Sequence, residues 1–285
     1  MVSRTLVCVT GQVRVPAKTW PKFKEYVLDQ FDADLALCIH DNGETDRSNE
    51  YFKNAKYVFE YKNTTGCWAS AFDKMNPGWR QLVNIPGDWI APIKEPVERS
   101  SSGGLVLFML WFLYQNIKTL LDNYDQIIVT RSDYFWTAPH PKLDSEHIWF
   151  IKGEFHGGIS NRHIVFHPRF AEAVLTVGTM EDLNKTSESL RKYFIETRFH
   201  FLFNVEGYLY VRFQERGLFE NIGFFPMTMF LTSETRGVHH SRYDVNVVYP
   251  DELDETEGPR VTWPWRIDHR YVSRNGMFCG RVTSD

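Results

Sequence analysis

Short apolar runs alternate along the chain with stretches in which apolar residues recur every three or four positions. Apolar runs typical of strands lie at residues 5–10, 34–40, 57–61 and 126–130. A helical spacing of apolar residues covers 20–31, between the first two runs, and 105–121 has the composition of a mostly buried helix. The order strand, helix, strand, strand favours an α/β fold in which a mixed, mainly parallel sheet is flanked by helices.

The second half of the chain continues this alternation. We expect a strand at 147–152, a helix beginning at Pro168, helical structure in the central part of 190–217, a last strand near 227–231 and a loop-rich tail from Gly237. Residues 63–102 show no period, and long irregular regions of this kind are often functional. No repeat, low-complexity tract or linker divides the chain, so we predict a single domain over residues 1–285.

Composition and charge narrow the class of protein. The chain is 43% hydrophobic and 24% charged, which is typical of a folded globular protein, and its net charge of −4 predicts no nucleic-acid partner. The longest apolar stretch, 105–114, is too short to span a membrane, and the N-terminal run has the pattern of a strand rather than a signal peptide. We expect a cytoplasmic protein with reduced cysteines, at Cys8, Cys38, Cys67 and Cys279.

The triplet Arg131, Ser132 and Asp133 directly follows the apolar run at 126–130. In open α/β sheets, ligands bind beyond the carboxyl ends of the strands. A carboxylate there can hold Mn²⁺ or Mg²⁺, which would neutralise a diphosphate leaving group, and an arginine can contact phosphate. Asp133 can equally cap a turn while Arg131 forms a surface salt bridge, so these residues alone leave both readings open.

An ordered set of segments carries a family resemblance. The segments are VTGQVR at 9–14, SSGG at 101–104, YDQIIVTRSDYF at 124–135, GEFHGGISNRHIVF at 153–166 and NVEGYL at 204–209. Together these segments resemble the GT-A-fold nucleotide-sugar glycosyltransferases, especially those of capsule or lipopolysaccharide pathways and of large DNA viruses such as those that infect chlorella. A viral xylosyltransferase is one candidate within that resemblance.

The resemblance implies one GT-A-like domain with a donor half, 1–135, and an acceptor half, 136–285. It implies metal-assisted, inverting transfer of a sugar from a UDP-sugar, with UDP-xylose as one candidate, to a glycan hydroxyl. The triplet at 131–133 stands where this fold usually has its D-x-D metal motif. Arg131 occupies the first acidic position, so Asp133 alone would supply the carboxylate of the motif.

Further residues take roles from the same resemblance. The donor would contact Gly11, Gln12, Arg14, Arg131, Ser132 and Asp133, although Gly11 can also be an ordinary turn that ends a strand. The acceptor would contact His156, Gly157, Gly158, Asn161 and Arg162, which can equally form a glycine-rich hairpin with a polar surface.

An inverting transfer needs a base for the proton of the acceptor hydroxyl. Glu206 is the leading candidate because a carboxylate on an apolar helix is costly unless it has a partner, although a structural role for it is equally open. Glu154 and Asp73 are weaker candidates. His240 can complete the metal site, or belong to a surface pair with His239, and nearby arginines offer contacts to the diphosphate, namely Arg236 and Arg242.

Two other classes of function remain open from the sequence. A sugar nucleotidyltransferase needs a similar fold and acidic metal ligands, although GQVR is a poor version of its glycine-rich signature. A non-catalytic glycan-binding protein would account for the 15% aromatic content. A phosphate-binding P-loop, a dinucleotide fingerprint and a nucleophile elbow do not occur in the sequence.

Overall fold

The computed structural model describes residues 4–41, 43, 45–62, 103–152, 158–179, 181–182, 188–189, 205–250 and 252–253. The region 63–102, the predicted acceptor residues His156 and Gly157, and the weaker base candidates Glu154 and Asp73 lie outside these ranges. Within them, no helix is both long enough and apolar enough to cross a membrane.

A seven-stranded sheet forms the centre of the fold, in the order β3-β2-β1-β4-β7-β6-β8. Six strands run in one direction, and β7 alone is antiparallel to its neighbours. The predicted mixed, mainly parallel sheet is therefore confirmed. The strands are β1 Thr5–Gly11, β2 Asp34–Asp41, β3 Tyr57–Lys62, β4 Gln126–Thr130, β6 Ile148–Ile151, β7 Ile164–Phe166 and β8 Ile222–Phe225.

A second, antiparallel sheet of four strands has the order β10-β11-β9-β5. The predicted strand near 227–231 is present at Met229–Ser233, but it is not the last one, because two short strands follow within the tail that was predicted to be loop-rich. The period-two pattern is hard to recognise in a three-residue strand, and three of the four are that short. The strands are β5 Tyr134–Trp136, β9 Met229–Ser233, β10 Val238–His240 and β11 Val245–Val247.

The helices agree with the apolar spacing, but several boundaries differ. The first begins at Pro16 rather than Trp20, since proline suits the first helical position, and the apolar helix ends at Ile117 rather than Leu121. The helix at Pro168 opens as a single 3-10 turn, Pro168–Phe170. The helices are α1 Pro16–Phe23, continued by a π-helical segment Lys24–Leu28 into α2 Asp29–Phe31, then α3 Glu50–Asn54, α4 Gly103–Ile117, α5 Ala171–Leu175 and α6 Val205–Glu215.

The large sheet is covered on both faces, as predicted. Alternate residues of β1 enter two separate cores: Leu6 and Cys8 pack with α4, α5 and α6, whereas Val7 and Val9 pack with α1 and α3. Cys8 is a free thiol, as is Cys38 of the neighbouring strand, and burial raises the pKa of both. The central strands are therefore fixed from two sides.

Two buried histidines lie beneath the end of β4. His140 Nε2 is 3.1 Å from His163 Nε2, and His163 Nδ1 is 3.0 Å from the hydroxyl of Thr130, the last residue of the strand. Aromatic rings of Trp136 and Phe225 pack around the pair. Burial lowers the pKa of His140 to about 4, and burial together with the charge of His140 lowers the pKa of His163 as well.

We expect this pair to make the fold sensitive to mild acid. In the unfolded chain both imidazoles take up protons below about pH 6.5, whereas in the fold His140 stays neutral to about pH 4 and the pKa of His163 also lies well below its usual value. Stability should therefore fall as the pH falls from 6.5 towards 4, by about 1.4 kcal/mol per pH unit for each histidine. Urea unfolding at pH 7, 6 and 5 measures this slope.

The matched variants are His140→Phe, which removes one buried imidazole, and His239→Gln, which changes an exposed one on β10. For His140→Phe, the free energy of unfolding should fall by about 1.4 kcal/mol less per pH unit than for the unmodified protein, whatever its value at pH 7. The second should keep the original slope. Equal slopes in all three proteins would contradict the conclusion that the buried histidines make the fold sensitive to acid.

Candidate functional site

The candidate site lies where β1 and β4 end side by side. These strands pair in parallel, with Val9 opposite Thr130, so the loops that follow them meet at one edge of the sheet. Gly11 ends β1 with a φ of 91°, a conformation that side-chain-bearing residues rarely adopt. A Cβ at this position would have no atom within 4 Å, so the backbone angle rather than a lack of space requires the glycine.

The hydroxyl of Ser132 joins the two loops. It accepts a hydrogen bond from the backbone N–H of Arg14 at 2.9 Å and donates one to the carbonyl of Gln12 at 3.1 Å. The side chain of Arg14 in turn donates to Gln12 Oε1 at 3.1 Å. The predicted donor-binding residues of the first loop are thus brought against those that follow β4.

The loop after β1 closes at Val15, which has a left-handed backbone with a φ of 50°. A β-branched residue rarely adopts this conformation, and such strain is common near ligand sites. The carbonyl of Val15 accepts from the backbone N–H and the hydroxyl of Thr19, both at 3.1 Å, at the start of α1. The first turn of α1 therefore holds the strained residue in place.

The backbone of Asp133 is held from the second sheet. Its carbonyl accepts from the backbone N–H of Thr232 at 2.9 Å and from the hydroxyl of the same residue at 3.1 Å. The preceding carbonyl, of Ser132, accepts from the Tyr51 hydroxyl at 3.2 Å. Asp133 is 4% exposed, so its side chain has one fixed direction.

Arg131 and Asp133 form a bidentate ion pair. Arg131 Nε donates to Oδ1 at 2.8 Å and Nη2 donates to Oδ2 at 2.7 Å, while Arg14 Nη1 lies 3.8 Å from Oδ2. Burial opposes ionisation of Asp133, but the charges and hydrogen bonds of the arginines outweigh it, and the pKa of the carboxyl lies below its usual value. Asp133 is therefore ionised at neutral pH.

Two cavities open on either side of this ion pair and share Gln12, Arg14 and Asp133 as a common wall. The first cavity has a volume of about 250 Å³ and is lined by Thr10, Gly11, Gln12, Arg14, His40, Leu105, Val106, Met109, Leu110, Arg131, Asp133 and Asn161. The second has a volume of about 460 Å³ and is lined by Gln12, Val13, Arg14, Val15, Pro16, Thr45, Asp46, Asn49, Asp133 and residues 232–236. Each cavity therefore draws residues from both predicted halves of the chain.

Two parts of the lining of the first cavity were not predicted from the sequence as site residues. One is the apolar wall from α4, whose residues were assigned only to the core. The other is His40, at the end of β2, which is 7% exposed and whose Nε2 has no hydrogen-bond partner among the described residues. Burial lowers the pKa of His40, so its ring is neutral at pH 7. The signal that was available is a polar residue at the carboxyl end of a buried parallel strand.

The predicted acceptor residues have different surroundings. Asn161 lines the first cavity and donates from Nδ2 to Glu206 Oε1 at 3.3 Å. Arg162 instead forms an ion pair with Glu252 at 3.0 Å, and the other carboxylate oxygen of Glu252 accepts from the backbone of β9. Gly158 packs against the start of α6, where a Cβ would lie 2.0 Å from the carbonyl oxygen of Glu206.

The predicted base Glu206 lies in the first turn of α6 and accepts a hydrogen bond from Asn161, which lines the first cavity. Its carboxylate does not line either cavity and reaches the first one through the amide of Asn161. The backbone carbonyl of Glu206 accepts from Ile159 at 2.9 Å. The structure therefore brings Glu206 within one side chain of the candidate site, and its role as a base stays a prediction.

The described residues do not fit a divalent metal at Asp133. Both carboxylate oxygens already accept from Arg131, and no group of three or more His, Cys, Asp and Glu side chains within the described ranges could hold an ion. A unit charge about 4 Å from a divalent ion opposes its binding by roughly 8 kcal/mol at an effective dielectric constant of about 20. His240 stacks on Tyr243 and lines neither cavity, so the metal site stays a prediction.

Comparisons with known proteins give a distant likeness to a solved structure. No protein-family model and no curated protein sequence matches the chain. Among solved structures, the chain is similar to mouse xyloside xylosyltransferase 1 in its apo form, with 10% sequence identity and a TM-score of 0.41 over 79% of this chain and 85% of that one. A likeness at this TM-score defines neither the fold nor the activity, and the α/β architecture rests on the strand order and packing of the chain itself.

Proposed function

We propose that this chain is a glycosyltransferase that moves a sugar from a nucleoside diphosphate donor to a glycan hydroxyl. A UDP-sugar is the proposed donor, with UDP-xylose as one candidate. The observation that carries the proposal is the pair of cavities that meet at Asp133, with Arg14 on their common wall and Arg131 on the wall of the first cavity. They lie beyond the carboxyl ends of parallel strands, where α/β folds bind nucleotides.

The chemistry of each cavity suits one part of such a reaction. The first combines an apolar wall from α4 with the guanidinium groups of Arg14 and Arg131, which suits a nucleotide and its diphosphate. The second is lined mainly by hydroxyl, amide and charged side chains, which suits sugar hydroxyls. Because the two share a wall, a donor in one can meet an acceptor in the other.

The transfer itself needs one bond to form as another breaks. The acceptor oxygen attacks the anomeric carbon of the donor sugar, and the bond from that carbon to the β-phosphate oxygen breaks with its electron pair on the diphosphate. The proton of the acceptor hydroxyl passes to a base, for which we propose Glu206, directly or through one water. Attack opposite the leaving group inverts the anomeric configuration. Assistance by Mn²⁺ or Mg²⁺ stays a prediction, and none of these steps depends on it.

A product assay tests the proposal against its two rivals. The protein is incubated with UDP-xylose and other UDP- or GDP-sugars and a panel of glycans, and the small products are separated. Release of a nucleoside diphosphate with a lengthened glycan supports glycosyl transfer. Release of pyrophosphate from a sugar phosphate and a nucleoside triphosphate would instead indicate a nucleotidyltransferase. Glycan binding without nucleotide binding would indicate a lectin.

Replacing Asp133 should abolish the transfer. In Asp133→Ala the two arginines lose their common partner and the carboxylate is gone, so we expect turnover to fall by at least about 100-fold. The same assay measures it, with Asp244→Ala as a matched control, because Asp244 is an exposed carboxylate paired with Lys18. Near-normal transfer by a folded Asp133→Ala protein would disprove the model of the site.

Replacing Glu206 should affect the rate rather than donor binding. Glu206→Gln keeps the shape and can still accept from Asn161, but it cannot take a proton, so kcat should fall by about 100- to 10,000-fold. Binding of UDP, measured by calorimetry, should not change. The control is Glu220→Gln, at an exposed acid after α6. A kcat close to normal in Glu206→Gln would exclude it as the base.

A further inference from the structure

The charged side chains that line the first cavity have a net positive charge. They are Arg14, Arg131 and Asp133, which together give one positive charge. His40 adds none at neutral pH, because burial lowers its pKa. A cavity with this charge attracts an anion, and Arg14 lies on the wall that it shares with the second cavity.

Arg131 is held in one orientation with part of its guanidinium still available. Nε and Nη2 donate to Asp133, and Nη1 has no acceptor among the described residues. The side chain keeps 30% exposure and lines the cavity. A planar guanidinium fixed in this way presents its remaining N–H groups in a set direction, and they match the oxygens of a phosphate.

Arg14 is positioned independently of that pair. Its backbone is fixed by the hydroxyl of Ser132, its side chain by Gln12, and it keeps 49% exposure. It lines both cavities, and Arg236 lies on the wall of the second. The second cavity is also lined by three carboxylates, so its charged side chains give one negative charge and the net positive charge is confined to the first cavity.

We infer that Arg131 and Arg14 neutralise the diphosphate of the donor in the place of a divalent ion. This inference rests on the proposed glycosyl transfer. Asp133 then acts as a positioning residue, since it orients one guanidinium through two hydrogen bonds and attracts the other at 3.8 Å. The arginine at the first position of the 131–133 triplet becomes a functional part of the site.

The chemical step balances with donor and acceptor alone. As the bond between the anomeric carbon and the β-phosphate oxygen breaks, negative charge grows on the phosphate oxygens. The N–H groups of both arginines donate hydrogen bonds to those oxygens and keep their protons, and the diphosphate leaves as an anion. The acceptor proton goes to the base, so no other reactant enters.

Calorimetry with UDP tests the inference, with GDP in parallel, on protein treated with EDTA and again after Mn²⁺ is added. We expect the same Kd in both conditions. Arg14→Gln and Arg131→Gln should each weaken UDP binding by about 10- to 100-fold, as the loss of a charge-assisted contact predicts. Arg169→Gln, which changes an exposed arginine paired with Glu146, should bind UDP as the unmodified protein does.

A further variant, Arg131→Asp, makes the test more specific because it places acidic residues at both 131 and 133. We expect this variant to bind UDP weakly in EDTA and to regain affinity when Mn²⁺ is added, which is the reverse of the unmodified protein. Thermal melting followed by circular dichroism shows whether each variant is folded. Arg14→Gln keeps the buried ion pair intact, so it remains informative if the substitutions at Arg131 unfold the protein.

Each outcome shows whether the role of the arginines, the proposed glycosyl transfer, or both are wrong. If Mn²⁺ tightens UDP binding by the unmodified protein about tenfold or more, this inference is wrong while glycosyl transfer stands. If Arg14→Gln and Arg131→Gln bind UDP normally, the arginines have another role and the inference is again wrong. If neither UDP nor GDP binds in any condition, the proposed function fails and this inference fails with it.

Discussion

The parallel pairing of β1 with β4 is the interaction on which the candidate site depends. Both strands lie inside the large sheet, and alternate β1 residues enter separate cores on its two faces, so neither strand can shift without disturbing a packed layer. Because the strands end together, the loops at 11–14 and 131–133 meet without any long side chain. The hydroxyl of Ser132 then joins the two loops by hydrogen bonds, because the paired strands already hold the loops close together.

Electrostatics explains why the residues after β4 have this composition. A carboxylate that is 4% exposed is stable as an ion only if other charges and hydrogen bonds replace the lost water. Arg131 provides two hydrogen bonds and Arg14 adds a charge nearby. The arginine in the triplet is thus the counter-ion of the aspartate, whereas the sequence left open a contact to phosphate and a salt bridge at the surface.

The sequence predicted the central elements well because long buried strands and apolar helices leave a strong pattern. The run at 126–130 matches β4 at both ends. Three-residue strands such as β5 and β10 leave too short a pattern to be recognised, and β5 in addition pairs with β9, which is far along the chain. His40 was not predicted as a site residue for a related reason, because the cavity that it lines is formed only together with neighbouring strands and a helix. Gly158 was predicted to contact the acceptor or to belong to a glycine-rich hairpin, whereas its close approach to the Glu206 carbonyl shows a tight packing constraint.

The common wall of the two cavities also determines how their selectivity can change. A substitution at Gln12, Arg14 or Asp133 alters both cavities at once, so these positions cannot adapt to a new molecule on one side without affecting the other. Positions that line a single cavity do not have this restriction. Val106 and Met109 can change the shape of the first cavity alone, and Thr45 and Thr235 that of the second. Related chains that bind different molecules in these cavities should therefore vary at those outer positions while the wall between the cavities stays the same.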